Sequence, residues 1–148
     1  MRKNYILCGL VGWCAEILFT SIGSAIHQDW RLMATTSLWM FPIYGLACFI
    51  PVLYKKIHSF PWFIRGLIYM LGIFLVEYVS GRILCYFHVC PWDYTDMPSN
   101  YKGIIRLDYA PFWFLLGLFY ERFLLQANPV KSVSTTEEVT EQVKKKHG

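Results

Sequence analysis

Two glutamates sit inside stretches that are otherwise lipid-soluble: Glu16 within GWCAEILFTSI and Glu77 within FLVEYVSGRIL. A charged side chain at the centre of a transmembrane helix costs roughly 2.5 to 3.5 kcal/mol even on lenient insertion scales, so two of them offset the contribution of about ten leucines. A cost of that size needs a return. Either the carboxyl makes an interhelical hydrogen bond as a packing device, or it serves a substrate, ion or proton site. At about 100° per residue, Gly9, Gly12, Glu16, Thr20, Gly23, Ser24 and His27 share one face of a first helix. Gly66, Tyr69, Glu77, Ser80, Gly81 and His88 share a face of a third. Both faces are small and polar, so both are expected to point into a bundle, where the carboxylates meet each other or a common cavity and can share a proton.

The elements that must position these residues follow from composition. With 148 residues, 55% hydrophobic and 18% aromatic, the chain has too little polar surface for a soluble domain and reads as a polytopic membrane protein. Residues 5–26, 37–54, 61–87 and 107–126 each approach the length of about 20 apolar residues that a bilayer requires. The expected fold is an all-α integral membrane protein with four transmembrane helices in residues 1–127, followed by a disordered polar cytoplasmic tail, 128–148, ending in Lys144, Lys145 and Lys146. Arg2 and Lys3 before an apolar run imitate a secretory signal, but that run is long and carries Glu16, so an uncleaved first helix is expected. If all four helices cross, Arg2, Lys3, Lys55, Lys56, Arg65, Arg122 and Lys131 fall on one side, against Arg31, Lys102 and Arg106 on the other, with Arg82 near that end of the third helix. The positive-inside rule then puts both termini in the cytoplasm.

Other candidates are weaker. Pro42, Gly45 and Pro51 free carbonyls or bend the second span, which is tolerated where a broken helix lines a cavity. The segment 88–110 alternates Trp92, Tyr94 and Tyr101 with Asp93, Asp96 and Asn100, consistent either with an interfacial aromatic belt or with a lid over the bundle. Cys85, His88, Cys90 and Asp93 could supply four ligands, but their spacing matches no standard zinc pattern, so no metal and no cofactor are expected. Glu121 lies beside Arg122 toward the cytoplasmic end, where it can reach water. A net charge of +4 held mostly at helix ends leaves no nucleic-acid surface.

The motifs GWCAEILFTSI, TSLWMFPIYG, VEYVSGRIL, CPWDYTD, GIIRLDYAPFWF and YERF, in that order over residues 5–126, resemble the transmembrane protein 229 family and bacterial relatives described as ABC-transporter permeases. The resemblance implies that Glu16, Pro42, Tyr44, Gly45, Glu77, Trp92, Asp93, Tyr94 and Glu121 are the positions that matter, and of these the substrate or proton site is expected to draw on Glu16, Glu77, Tyr44, Trp92, Asp93, Tyr94 and Glu121. The expected function is a small permease or permease-like subunit of a bacterial plasma membrane, with a polar site for an ion or small solute. The alternatives are a membrane enzyme acting on a lipid or lipid-linked substrate, and a non-catalytic adaptor. The expected partners are the bilayer, a homo-oligomeric copy or, since no Walker motif occurs in the sequence, a separate ATPase subunit.

Overall fold

The computed structural model describes residues 2–127. The expected polar tail, 128–148, lies outside the described residues. Five α-helices follow one another: α1 Arg2–Ile26, α2 Met40–Gly45, α3 Ile50–Ile57, α4 Trp62–Tyr86 and α5 Ala110–Ala127. A 3-10 segment, Leu46–Phe49, joins α2 to α3, so the stretch Met40–Ile57 forms a single broken span. Between α4 and α5 lies a two-stranded antiparallel hairpin, β1 Asn100–Tyr101 and β2 Ile105–Arg106, with Asn100 opposite Arg106 and Tyr101 opposite Ile105.

The break in the second span follows from its prolines. Pro51 has no N–H, so the Ala47 carbonyl has no partner four residues on. It accepts instead from the N–H of Ile50, one residue earlier, which tightens the turn into 3-10 geometry. Pro42 acts in the same way on Leu38, whose carbonyl accepts from Phe41 at 3.2 Å.

Helices α1 and α4 end alike. The Gln28 and His88 backbones lie in the left-handed region, at φ 62° and 56°. Around each, paired backbone bonds close a Schellman motif: Gln28 to Ala25 and Asp29 to Ser24 after α1, His88 to Cys85 and Val89 to Leu84 after α4. His88 is thus the residue that turns the chain out of α4.

Among the described residues three segments are long and apolar enough to cross a membrane: Arg2–Ile26, Met40–Ile57 and Trp62–Tyr86. Helix α5, which carries adjacent Glu121 and Arg122, is not among them. Along α4, Leu71, Leu75, Val79 and Ile83 recur every four residues and are all exposed, Leu75 at 64%. That stripe is stable against lipid and untenable against water. The packing is heaviest between α1 and α2 and between α4 and α5, with α3 against α5. One small core gathers Cys8, Cys48, Tyr120 and Leu124, where the Tyr120 hydroxyl donates to the Cys8 carbonyl at 3.0 Å and ties α5 to α1. The wider space between the helix pairs is open.

Candidate functional site

That space is a cavity of about 940 Å³ lined by residues of α1, the broken span, α4, α5 and the segment that precedes the hairpin. Glu16, Glu77, Tyr44, Trp92 and Tyr94 all line it. At about 1.5 Å per residue, both glutamates lie roughly 21 to 23 Å from the start of their helices. Close helix approach shapes the walls. A Cβ on Gly12 would overlap the Tyr44 ring, and one on Gly81 would overlap Ile104 and press on Trp92, so glycine at each position lets the aromatic residue reach the cavity.

The two carboxylates are held separately. Glu16 Oε2 accepts from the Thr36 hydroxyl at 2.6 Å, and Glu77 Oε2 accepts from the Trp113 indole N–H at 3.2 Å. No hydrogen bond joins one to the other among the described residues. The sequence left open whether the glutamates meet each other or a common cavity, and the geometry places them on a common cavity.

The segment after α4 is organised by its own polar groups. Trp92 donates its indole N–H to the Ile104 carbonyl at 3.1 Å, Tyr94 N–H to the Gly103 carbonyl at 2.9 Å, and the Asn100 amide bridges the Thr95 and Met97 carbonyls. Gly103, at φ 69°, closes the turn with its N–H on Asn100 Oδ1. Tyr94 comes to rest against the cavity. Burial first, and then the Glu77 and Glu16 charges, hold its phenol well above the usual range, so it faces the carboxylates as a protonated O–H.

Two expected site residues are elsewhere. Asp93 is exposed and accepts from the Thr95 hydroxyl and amide, which hold its carboxyl below the usual range; it shapes the loop. Glu121 does not reach water. It is buried, takes a two-pronged ion pair from Arg65 at 2.9 and 3.0 Å, and accepts from the Tyr69 hydroxyl at 2.6 Å. Adjacent positions on a helix do not face each other, so Arg122 was no guide to its surroundings. Among the described residues no group of three or more His, Cys, Asp or Glu is arranged to hold a metal, and the Cys90 thiol instead donates to the Trp92 carbonyl at 3.2 Å.

Comparison with known families places the chain. The family model described as "Putative ABC-transporter type IV" matches residues 3–144. The chain belongs to that family. No solved structure matches it. The family match bears out the resemblance to bacterial ABC-transporter relatives, and with the apolar helices it makes this a membrane protein of a transport-associated family.

In this member of the ABC-transporter type IV family, the sequence reading passed over the donors that hold the carboxylates. Thr36 and Trp113 both fall inside motifs that carried the family resemblance, TSLWMFPIYG and GIIRLDYAPFWF. A polar donor inside an apolar motif was the available signal. Tyr109 was also missed: it lines the cavity, and the Arg106 guanidinium lies over its ring at 4.4 Å while pairing with Asp108 at 2.9 Å.

Proposed function

We propose that this chain is a permease or permease-like subunit of a bacterial plasma membrane, in which the cavity between α1, the broken span, α4 and α5 receives an ion or small solute at the depth of the bilayer. The observation that carries the reading is the cavity of about 940 Å³ onto which Glu16 and Glu77 both open. Each glutamate takes one hydrogen bond from another part of the chain, Glu16 from Thr36 ahead of α2 and Glu77 from Trp113 on α5, as a packing role also predicts, but each borders open volume as well, which packing alone does not require. Ligand sites of drug-sized molecules have volumes of this order, about 300 to 1,000 Å³, with apolar walls and few polar groups.

In this reading α5 is a fourth crossing, both termini are cytoplasmic, and the hairpin segment covers the outer mouth of the cavity with Trp92 and Tyr94. The family points to a separate ATPase subunit as the partner that supplies energy. The motif order supports kinship with the transmembrane protein 229 family.

Solute uptake into membrane vesicles from cells expressing the wild type or Glu77→Gln tests the proposal. The amide keeps the shape and the Trp113 bond but cannot carry charge. Loss of uptake with assembly intact is expected. Unchanged uptake, or loss of lipid turnover in place of uptake, would overturn the reading.

A further inference from the structure

The composition of the cavity wall points to the class of its solute. Among the described residues no Lys, Arg or His lines it, while two carboxylates do, and about a third of the lining residues are aromatic. Two guanidiniums stand behind lining residues, Arg106 over Tyr109 and Arg65 beside Tyr69, and both already have counter-charges, in Asp108 and Glu121. The Oε1 atoms of Glu16 and Glu77 carry no hydrogen bond, and no buried side-chain oxygen or nitrogen among the described residues lacks a partner, so these oxygens are accessible. Free acceptor oxygens, ring faces and the absence of a fixed positive charge select for positive charge on the ligand.

An anion would meet two carboxylates with no compensating cation. A bare metal ion needs about six or more oxygen ligands and would leave most of this largely hydrocarbon space unfilled. A cation clothed in apolar groups satisfies both features of the wall, because its charge meets the carboxylates and ring faces while its hydrocarbon meets the remainder. We propose that the cavity binds a hydrophobic organic cation, a quaternary or protonated amine-type solute, between Glu16 and Glu77 with Trp92 and Trp113 against it. The inference rests on the reading of the cavity as a solute site.

Three probes of similar build and different charge test it: tetraphenylphosphonium, triphenylphosphine oxide and tetraphenylborate, measured by equilibrium dialysis against the full chain in phosphatidylcholine nanodiscs, with empty nanodiscs as blank. Saturable phosphonium binding is expected, at least about tenfold tighter than the neutral oxide, with the borate weakest. The double variant Glu16→Gln, Glu77→Gln should lose the phosphonium preference and keep the oxide affinity. Equal or tighter binding of the oxide or the borate, or no saturable phosphonium binding, overturns the cation class. If the double variant does not fold, the order of the three probes on the wild type decides alone. The two readings fail separately: phosphonium binding without vesicle uptake of any solute retains the cation site and removes the permease, and uptake of a neutral solute without phosphonium binding does the reverse.

Discussion

Glu121 takes its role from Arg65 and Tyr69, which are 56 and 52 residues away in sequence. The guanidinium meets the carboxylate through two N–H groups, and a third goes to the Phe60 carbonyl at 2.9 Å, so one cluster joins the start of α4 to the end of α5. Both side chains are well shielded, at 18% and 9% exposure. Removing one partner leaves the other charge buried, which costs about 3 kcal/mol or more. Glu121→Ala should therefore lower stability by that amount in reversible unfolding in detergent; a loss under about 1 kcal/mol would show that the pair is solvated. The Cys90 thiol gives a second expectation at this scale. Burial pushes it up to about 11, so at pH 8 its alkylation should be roughly a hundredfold slower than that of an ordinary exposed thiol and should rise about tenfold per pH unit up to about pH 11. Mass spectrometry of the alkylated Cys90 peptide measures this, and a rate that levels off near pH 8.5 would contradict it. Glu16 and Glu77 were legible in the sequence because their cost in an apolar run is visible from one helix alone. The Glu121 pairing was not, since it depends on a contact between distant helices.

The elements were legible where one residue type imposes one conformation. Pro42 and Pro51 marked the break in the second span, and the two long helices appeared within a few residues of their observed ends. Non-glycine residues in left-handed conformation, Gln28 and His88, gave no such mark, so His88 was grouped with Cys85, Cys90 and Asp93 as a possible ligand although its backbone serves to end α4. The small-residue face of α1 was expected to point into the bundle, and its halves differ. Gly9 and Gly12 meet Phe41 and Tyr44 closely, while an added Cβ at Gly23 meets nothing within 4 Å. Gly12→Ala should force the Tyr44 ring out of place and cost about 1 to 3 kcal/mol. Gly23→Ala should be neutral or stabilise by up to about 1 kcal/mol, because alanine restricts the unfolded chain. Equal effects of the two substitutions in detergent unfolding would mean that α1 does not pack on α2 through Gly12.

For the molecule as a whole, charge distribution argues for an orientation and the cavity for a function. On the proposed orientation, with four crossings and both termini cytoplasmic, a cysteine placed at Asp96 in the segment between α4 and α5 should react with a membrane-impermeant maleimide in intact cells, and one placed at Ser59 between α3 and α4 should not. The reverse pattern, or equal labelling, would remove the assigned orientation. The helical architecture and three of the four expected spans were legible because lipid demands long apolar helices; the volume between them was not, because it depends on how the α1–α2 and α4–α5 pairs stand apart. Gly72 gives access to that volume without touching a carboxylate: it lines the cavity, and a Cβ there meets nothing within 4 Å. The most direct measurement is therefore nanodisc binding of whichever of the three probes binds most tightly, compared between wild type and Gly72→Leu. Occupation of the cavity predicts at least about a tenfold loss of affinity with unfolding behaviour unchanged, and undiminished affinity in a folded Gly72→Leu protein would show that the solute site lies elsewhere.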